Sequence, residues 1–191
     1  MTIRSFIALP IPKDTADELG DVAAKMSYQD KSNAVRWVDQ QSYHITLAFL
    51  GEQEEQDLEH LIETLDEQIT QNEFLATLNH LSPFPESKPK LIAAMVDKNH
   101  ALLDLQQQTV SALRRAGMLI DKRKFNPHIT LGRFRHSRNQ YSGAIPALGS
   151  IELVAEELVL YESILGASGA HYEALVRFPL EQYSYDELAN N

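Results

Sequence analysis

The stretch His44-Ile45-Thr46-Leu47-Ala48-Phe49-Leu50-Gly51 is the most informative part of the chain, because its first four residues recur at His128-Ile129-Thr130-Leu131. Both copies are rich in β-branched and other apolar residues, which predicts two β-strands. Side chains alternate between the two faces of a strand, so the histidine and the threonine of each copy should share one face. The opposite, core-forming face should carry Ile45, Leu47 and Phe49 in the first copy, and Ile129 and Leu131 in the second.

The repeated polar residues suit proton transfer. Imidazole titrates near neutrality, so two imidazoles at one site can hold opposite protonation states. One of them can then accept a proton while the other donates one in the same reaction. The pattern alone leaves a second interpretation open, in which both histidines are core residues whose ring nitrogens are satisfied by hydrogen bonds.

The bulk composition is that of an ordinary globular protein. At 191 residues, 43% hydrophobic and 23% charged, the chain can bury one core or two small lobes that share an interface. It has no cysteine, which excludes disulfides and thiolate metal sites and fits a reducing compartment. The first apolar run is too short for a secretory signal, and no stretch is long enough to span a bilayer. A cytoplasmic protein without membrane contact is therefore expected.

Positive charge is concentrated around the second motif, although the net charge of the chain is −10. The negative total argues against nonspecific coating of nucleic acid. Between residues 114 and 138, eight of the seventeen Lys and Arg residues are opposed only by Asp121. This basic run indicates either an anionic substrate or a solvated basic face. Its members are Arg114, Arg115, Lys122, Arg123, Lys124, Arg133, Arg135 and Arg138.

Hydrophobic periodicity predicts strands and helices in mixed order, and hence an α+β fold. Helices are expected over residues 13–26, 54–71 and 100–116. Besides the two motif strands, strands are expected over residues 3–9, 34–38, 74–81, 91–96, 151–162 and 171–178, the last two as an antiparallel pair.

The position of the motifs also predicts the domain organisation. One motif strand falls in each half of the chain, which favours two similar lobes whose motif strands meet across a cleft. The proline-bearing loop 82–89 is the expected boundary between the lobes. Residues 1–180 should form this single domain of two lobes, and residues 181–191 an acidic C-terminal tail.

Motifs for several other kinds of site are missing from the sequence. Zinc-binding H-E-x-x-H, phosphate-binding G-x-x-x-x-G-K-[ST] and the serine motif G-x-S-x-G are all absent. Threonine is a poor ligand for divalent metals, so no catalytic metal is expected. Two histidines, two hydroxyls and a nearby arginine instead fit metal-free hydrolysis of a phosphodiester, most easily of a strained cyclic phosphate.

Residues 44–52 and Pro127–Arg133 closely resemble the paired His-x-Thr-x signatures of the two-histidine (2H) phosphoesterases. The nearer match is the branch of bacterial RNA 2',3'-cyclic phosphodiesterases, often labelled 2'-5' RNA ligases. Phe6–Pro10, Trp37-Val38 and Leu160–Ser163 also look like that branch, so the resemblance runs from about Ile3 to Phe178. It implies a bilobal α+β fold with pseudo-twofold symmetry, in which antiparallel sheets line a central cleft and the helices lie outside.

The resemblance further implies an activity and the residues that carry it. The expected reaction is hydrolysis of a terminal 2',3'-cyclic phosphate of RNA to a 2'-phosphomonoester, without a metal or another cofactor. His44 carries over as the proton donor and His128 as the proton acceptor. Thr46, Thr130 and Arg133 carry over as ligands of the substrate phosphate.

The position of Arg133 raises a question of strand geometry. It lies five residues after His128, an odd offset, so strict alternation would place it on the opposite face. Either the strand ends or bulges near Gly132, or the arginine serves elsewhere. Arg135 has the same parity and is the rival candidate.

Neighbouring charges predict the same roles for the histidines as the resemblance does. His128 lies within the basic run, which should lower its pKa and leave it neutral. His44 is followed by Glu52, Glu54 and Glu55, which should favour its protonated form if any of them lies close.

Two other functions compete with the hydrolase. The same site run backwards could join RNA ends through a 2'-5' linkage, and a non-catalytic module could bind RNA ends. A binder does not need both histidines and both threonines, so the complete motifs favour an enzyme. Tyr43, Phe125 and Tyr161 could stack on a base but suit a core equally well. The expected partner is an RNA that ends in a cyclic phosphate, and a monomer is expected.

Overall fold

The structure, a computed structural model, describes residues 1–121, 123–135, 141–166 and 169–182. The described residues form nine strands and three α-helices. In chain order these are β1 Thr2–Pro10, α1 Lys13–Gln29, β2 Val35–Trp37, β3 His44–Glu54, α2 Glu55–Gln68, β4 Phe74–Phe84, β5 Leu91–Val96, α3 His100–Arg115, β6 His128–Phe134, β7 Ile151–Ala155, β8 Glu157–Gly166 and β9 Gly169–Pro179.

The two motif strands, β3 and β6, lie side by side at the centre of one antiparallel sheet. The strand order is β7-β4-β5-β6-β3-β1-β8-β9, and the short β2 also pairs with β6. Three further strands therefore flank each motif strand: β1, β8 and β9 beside β3, and β5, β4 and β7 beside β6. This arrangement confirms the α+β prediction and gives the sheet a pseudo-twofold relation centred on the motif strands.

All three helices pack on one face of the sheet. Each helix buries one face, which is formed mainly by leucines in α2 and α3. The side chain of Asn99 caps α3 by accepting a 2.8 Å hydrogen bond from the backbone N–H of Leu102. The hydrophobic cluster that results runs through both halves of the sheet. Within the described ranges, no helix combines the length and apolar character needed to cross a bilayer. Fully buried helix residues include Leu19, Met26, Leu61, Leu65, Leu102 and Leu105.

The predicted lobe boundary at residues 82–89 is wrong. Strand β4 continues through Phe84 and pairs with β5, so this segment is a hairpin inside one half of the sheet. Proline is tolerated at position 83 because β7 pairs only with Phe74–Leu78, which leaves the outer edge of β4 free beyond that point. After β3 and α2 the chain crosses into the other half of the sheet, and it crosses back between β7 and β8.

The predicted single strand over residues 151–162 is two strands in opposite halves of the sheet. Strand β7 pairs with β4, whereas β8 pairs with β1 and β9. The two strands are separated by Glu156 alone, and both are apolar, so the sequence pattern resembles that of a single strand. The antiparallel pairing of the last two strands, β8 and β9, is confirmed. Glu181 forms a bridge to Asn72, and residues 183–191 of the predicted tail lie outside the described residues.

Candidate active site

The four repeated polar residues lie together on the face of the sheet that the helices leave open. Ile45 is directly opposite Ile129 in the antiparallel pairing of β3 and β6, and both are fully buried on the core face. The neighbouring residues along each strand alternate to the other face, which brings His44, Thr46, His128 and Thr130 to that face. All four are half-buried, so they line a cleft that a substrate can enter.

Both imidazoles are oriented in the same way. The Nδ1 atom of His44 lies 2.8 Å from the backbone oxygen of Ser42, and that of His128 lies 2.7 Å from the backbone oxygen of Asn126. A carbonyl oxygen only accepts hydrogen bonds, so each Nδ1 carries the proton and donates it. In the neutral ring, Nε2 then presents a lone pair, which can accept a proton from a substrate group.

Burial makes both histidines hard to protonate in the free protein. Burial, together with smaller effects from the charges of Arg133 and His128, lowers the pKa of His44 to about 4, although the hydrogen bond to the Ser42 carbonyl opposes the decrease. Burial also lowers the pKa of His128, where the Asn126 carbonyl again opposes and Arg133 adds to the decrease. Both rings are therefore neutral at pH 7 when no ligand is bound.

Aromatic side chains cause much of this burial. The ring centroid of His44 is 4.9 Å from that of Phe6 and 5.0 Å from that of Tyr172, and Tyr161 lies further out at 6.4 Å. The ring of His128 is 4.8 Å from Phe84. The sequence did not predict Phe6, Phe84 and Tyr172 as site residues, because they belong to strands that are distant from the motifs in the chain.

The predicted effect of the acidic residues on His44 is wrong. Glu52, Glu54 and Glu55 are exposed, and Glu54 pairs with the N-terminal amino group at 3.2 Å. None of them is among the groups that shift the pKa of His44, which falls instead of rising. Strand β3 runs on past the motif and carries these carboxylates away from the imidazole.

A bulge in β6 resolves the position of Arg133. Ala93 of β5 lies opposite Thr130, but the next residue, Ile92, lies opposite Gly132. Leu131 is thus an extra residue without a partner in β5, and the alternation of faces shifts by one after it. Arg133 consequently turns to the same face as His128, in agreement with its effect on the pKa of both histidines.

Strand β3 contains the corresponding bulge, which overturns one prediction. Ala8 of β1 lies opposite Thr46, whereas Ile7 lies opposite Ala48, so Leu47 is the extra residue. Alternation predicts Phe49 on the core face. It is instead 53% exposed and its ring centroid is 6.4 Å from that of Phe6, on the cleft face. Phe49 and Arg133 thus occupy equivalent places, each five residues after a motif histidine.

The fold disperses the rest of the basic run. Arg114 and Arg115 lie in the last turn of α3, where Arg115 is 3.6 Å from Glu67. Arg123 forms an ion pair with Asp121 and lies over the ring of Phe49, 5.6 Å from its centroid. Arg135 follows the end of β6, and its backbone N–H donates to Ala34. Lys122 and Arg138 lie outside the described residues.

The remaining candidates divide between the core and the cleft. Tyr43 is 5% exposed, and burial raises its pKa to about 12, which makes it a core residue. Phe125 is partly buried against the core. Tyr161 stacks on Phe6 beside His44, with 5.2 Å between ring centroids, and so belongs to the cleft.

The polar groups of the cleft are free to meet a ligand. In the described part of the chain, the hydroxyls of Thr46 and Thr130 make no hydrogen bond and Arg133 forms no ion pair. A hollow of about 420 Å³ adjoins the second motif, lined in part by Phe84 and Asn126. Among the described residues, no three His, Asp or Glu side chains cluster as ligands of a metal ion.

The sequence matches the model of the LigT like phosphoesterase family over residues 9–93 and 95–172. The chain therefore belongs to the LigT-like phosphoesterase family. Both motifs fall inside the matched residues.

Individual relatives are similar over nearly the whole chain. The RNA 2',3'-cyclic phosphodiesterase of Bacillus subtilis is 29% identical over 181 residues, which cover 92% of this chain and 95% of the relative. The protein of that name from Thermotoga maritima is 25% identical over 183 residues, or 94% and 96% of the two chains.

Solved structures show the same fold. TT0787 of Thermus thermophilus superposes with a TM-score of 0.79 at 24% identity, over 95% of this chain and 100% of that one. E. coli LigT complexed with 3'-AMP superposes with a TM-score of 0.76 at 27% identity, over 94% and 99%.

Proposed function

We propose that this protein is an RNA 2',3'-cyclic phosphodiesterase, which hydrolyses a terminal cyclic phosphate to a 2'-phosphomonoester by acid–base catalysis without a metal. One observation carries the proposal: two imidazoles with free Nε2 atoms, two unengaged hydroxyls and one unpaired arginine share a single open face in the described part of the chain. The names of the relatives from Bacillus subtilis and Thermotoga maritima agree with this substrate.

The proposed reaction needs one proton acceptor and one proton donor. Neutral His128 accepts a proton from water at Nε2 as the water oxygen bonds to phosphorus. Protonated His44 gives its Nε2 proton to the 3' oxygen as the bond from that oxygen to phosphorus breaks. Arg133, Thr46 and Thr130 donate hydrogen bonds to the nonbridging oxygens, where negative charge accumulates in the transition state.

Binding of the substrate should favour the protonated form of His44 that the reaction requires. With a pKa of about 4, His44 is almost entirely neutral at pH 7 in the free protein. The negative charge of a bound phosphodiester favours the protonated form of a nearby imidazole and raises its pKa. Substrate binding and protonation of His44 are therefore coupled. The assignment of His44 as acid comes from the resemblance to the family, because the unliganded pKa values alone would not select it.

The test is turnover of an oligoribonucleotide that ends in a 2',3'-cyclic phosphate, in the presence of excess chelator. We expect a 2'-phosphomonoester, identified by ³¹P NMR, at a rate that chelation does not change. His44→Ala and His128→Ala should each lower the rate about 10²–10⁴-fold. His60→Ala, on the exposed surface of α2, is the matched control and should leave the rate unchanged.

Three outcomes would contradict the proposal. Loss of activity with chelator that zinc or manganese restores would show that a metal is required. A 3'-phosphomonoester product would reverse the regiochemistry. Tight binding of the oligonucleotide without turnover would identify a module that binds RNA ends.

A further inference from the structure

Arg36 is an exposed arginine of β2 that the reaction described above does not use. In the pairing of β2 with β6, Arg36 lies directly opposite Arg133. Its neighbours Val35 and Trp37 lie on the core side, where a Cβ on Gly132 would be 2.5 Å from Cγ1 of Val35 and 3.1 Å from Cε3 of Trp37. Alternation therefore places Arg36 on the cleft face together with Arg133.

Two like charges directly opposite each other destabilise a sheet unless an anion neutralises them. No carboxylate does so in the described part of the chain, where neither arginine forms an ion pair. Asp30, which precedes β2, accepts hydrogen bonds from the backbone N–H groups of Ala34 and Val35. Each arginine is therefore available to bind an anion of the ligand.

The guanidinium of Arg36 lies beside Gly169, the first residue of β9. A Cβ on Gly169 would be 3.7 Å from Nη1 of Arg36 and 3.8 Å from Cζ. Tyr172, whose ring contacts that of His44, follows Gly169 by three residues of extended strand, or about 10 Å. That separation exceeds the size of one phosphate group, so an anion at Arg36 is distinct from the group held between the histidines.

In the described part of the β8–β9 hairpin, no acidic side chain lies on the cleft face near Arg36. Ser163 lies opposite Tyr172 on the cleft face, and the next pair, Glu162 opposite Glu173, alternates to the other face. Glu173 there lies 3.4 Å from Nε2 of His171. Within the described residues of the hairpin, no acidic side chain on the cleft face therefore competes for Arg36.

We propose that Arg36 binds a second phosphate of the RNA, the 5'-phosphate of the nucleotide that carries the cyclic phosphate, while Arg133 faces the reacting phosphate. The inference rests on the proposed function for the identity of the ligand. Arg36 then distinguishes an RNA chain, which has this neighbouring phosphate, from a cyclic mononucleotide, which lacks it. The positive effect of Arg133, but not of Arg36, on both histidines fits this division.

The experiment measures binding of two probes that differ only in the second phosphate. Adenosine 2'-phosphate and adenosine 2',5'-bisphosphate are titrated into the full chain by calorimetry. Since charge-assisted hydrogen bonds are the strong ones, we expect the wild type to bind the bisphosphate about tenfold more tightly. Arg36→Gln should abolish that preference without changing the Kd for the monophosphate, and Arg36→Lys should retain most of it. The salt dependence of oligonucleotide binding should weaken by about 0.7 in log–log slope for Arg36→Gln.

Arg114→Gln, on α3 at the helical side of the sheet, removes the same charge and should keep the full preference. Two results overturn the inference: a preference that persists in Arg36→Gln, or an equal loss of affinity for both probes. The thermal midpoint of Arg36→Gln should not fall, because the substitution relieves a like-charge pair. Binding needs no turnover, so absence of hydrolysis with the preference intact would contradict the proposed function alone.

Discussion

At the scale of single residues, the two histidines have similar hydrogen bonds, and burial lowers the pKa of each. Each donates its Nδ1 proton to a backbone oxygen two residues earlier, and each is packed against aromatic rings. His44 has more aromatic neighbours, and its pKa falls to about 4. These surroundings keep both rings neutral in the free protein, and the charge of a bound anion favours protonation of a nearby imidazole.

The low pKa of His44 predicts a loss of stability in mild acid. The unfolded chain takes up this proton near pH 6.5 while the folded protein resists it until about pH 4, so stability falls as the pH decreases through that window. The full shift corresponds to about 3 kcal/mol. The free energy of unfolding, measured with urea at pH 7 and at pH 4, should decrease in the wild type. In His44→Gln the decrease should be smaller, by up to this amount. His60→Gln controls for loss of an imidazole, and equal losses in all three proteins would refute the predicted effect of burial.

The division of roles predicts a selective rescue. A highly acidic leaving group such as p-nitrophenol can leave a phosphodiester without first receiving a proton. Hydrolysis of such a substrate therefore does not need His44 as the acid. On that substrate His44→Ala should recover much of its activity while His128→Ala stays slow. Steady-state rates on both substrates check this, and rescue of the His128 variant instead would exchange the two roles.

At the scale of elements, the decisive features are the paired bulges at Leu47 and Leu131. Each inserts one residue into a motif strand and turns the residue five places after the histidine toward the cleft. Beside the second bulge, Gly132 permits β2 to approach β6 closely. Phe49 occupies the equivalent place on β3 to that of Arg133 on β6, which makes one flank of the cleft aromatic and the other cationic.

The close approach at Gly132 predicts a cost for any side chain there. In Gly132→Ala the new Cβ would lie 2.5 Å from Cγ1 of the stiff, buried Val35, so β2 or β6 must shift. We expect a loss of about 1–3 kcal/mol in urea unfolding, with a lower kcat/KM because His128 and Arg133 move with the strand.

A double-mutant cycle isolates the clash. In a Val35→Ala background the same substitution should cost clearly less, which gives a coupling energy above about 0.5 kcal/mol. Gly149→Ala is the control, because a Cβ there would meet nothing within 4 Å. If the effects of the two substitutions are additive, contact with Val35 does not explain the cost of a side chain at position 132.

At the scale of the whole molecule, two pseudo-symmetric halves share one core. A single hydrophobic cluster includes Ile45 and Ile129, the residues at which β3 and β6 pair, and residues of all three helices. Symmetry in the sheet therefore does not imply two independently stable units.

The shared core predicts one cooperative unfolding transition. Fluorescence of Trp37, the only tryptophan, reports on β2, and far-UV circular dichroism reports on the whole chain. The two probes should give the same urea midpoint in the wild type and in Ile129→Ala, which should lose about 2–5 kcal/mol as a cavity forms in the core. Separate midpoints would mean that the halves unfold independently and would contradict the single domain predicted for residues 1–180.

Local sequence patterns were sufficient to predict the class of fold and the central chemical groups. The repeated motif identified both strands and placed each histidine beside a threonine on one face, because alternation is a local property of an extended chain. Helical periodicity predicted all three helices within a few residues of their observed bounds. These features depend only on residues close together in the chain, and the family resemblance supplied the roles.

The other side chains that join the site depend on contacts between distant parts of the chain. The faces of Phe49 and Arg133 depend on bulges that exist only when β1 and β5 pair with the motif strands. The low pKa of His44 depends on rings from distant strands, which overrule the acidic residues that follow it in sequence. The facing arginines of β2 and β6 likewise follow from a pairing of residues almost a hundred positions apart. Register and desolvation are properties of surrounding strands, so periodicity within one strand cannot determine them.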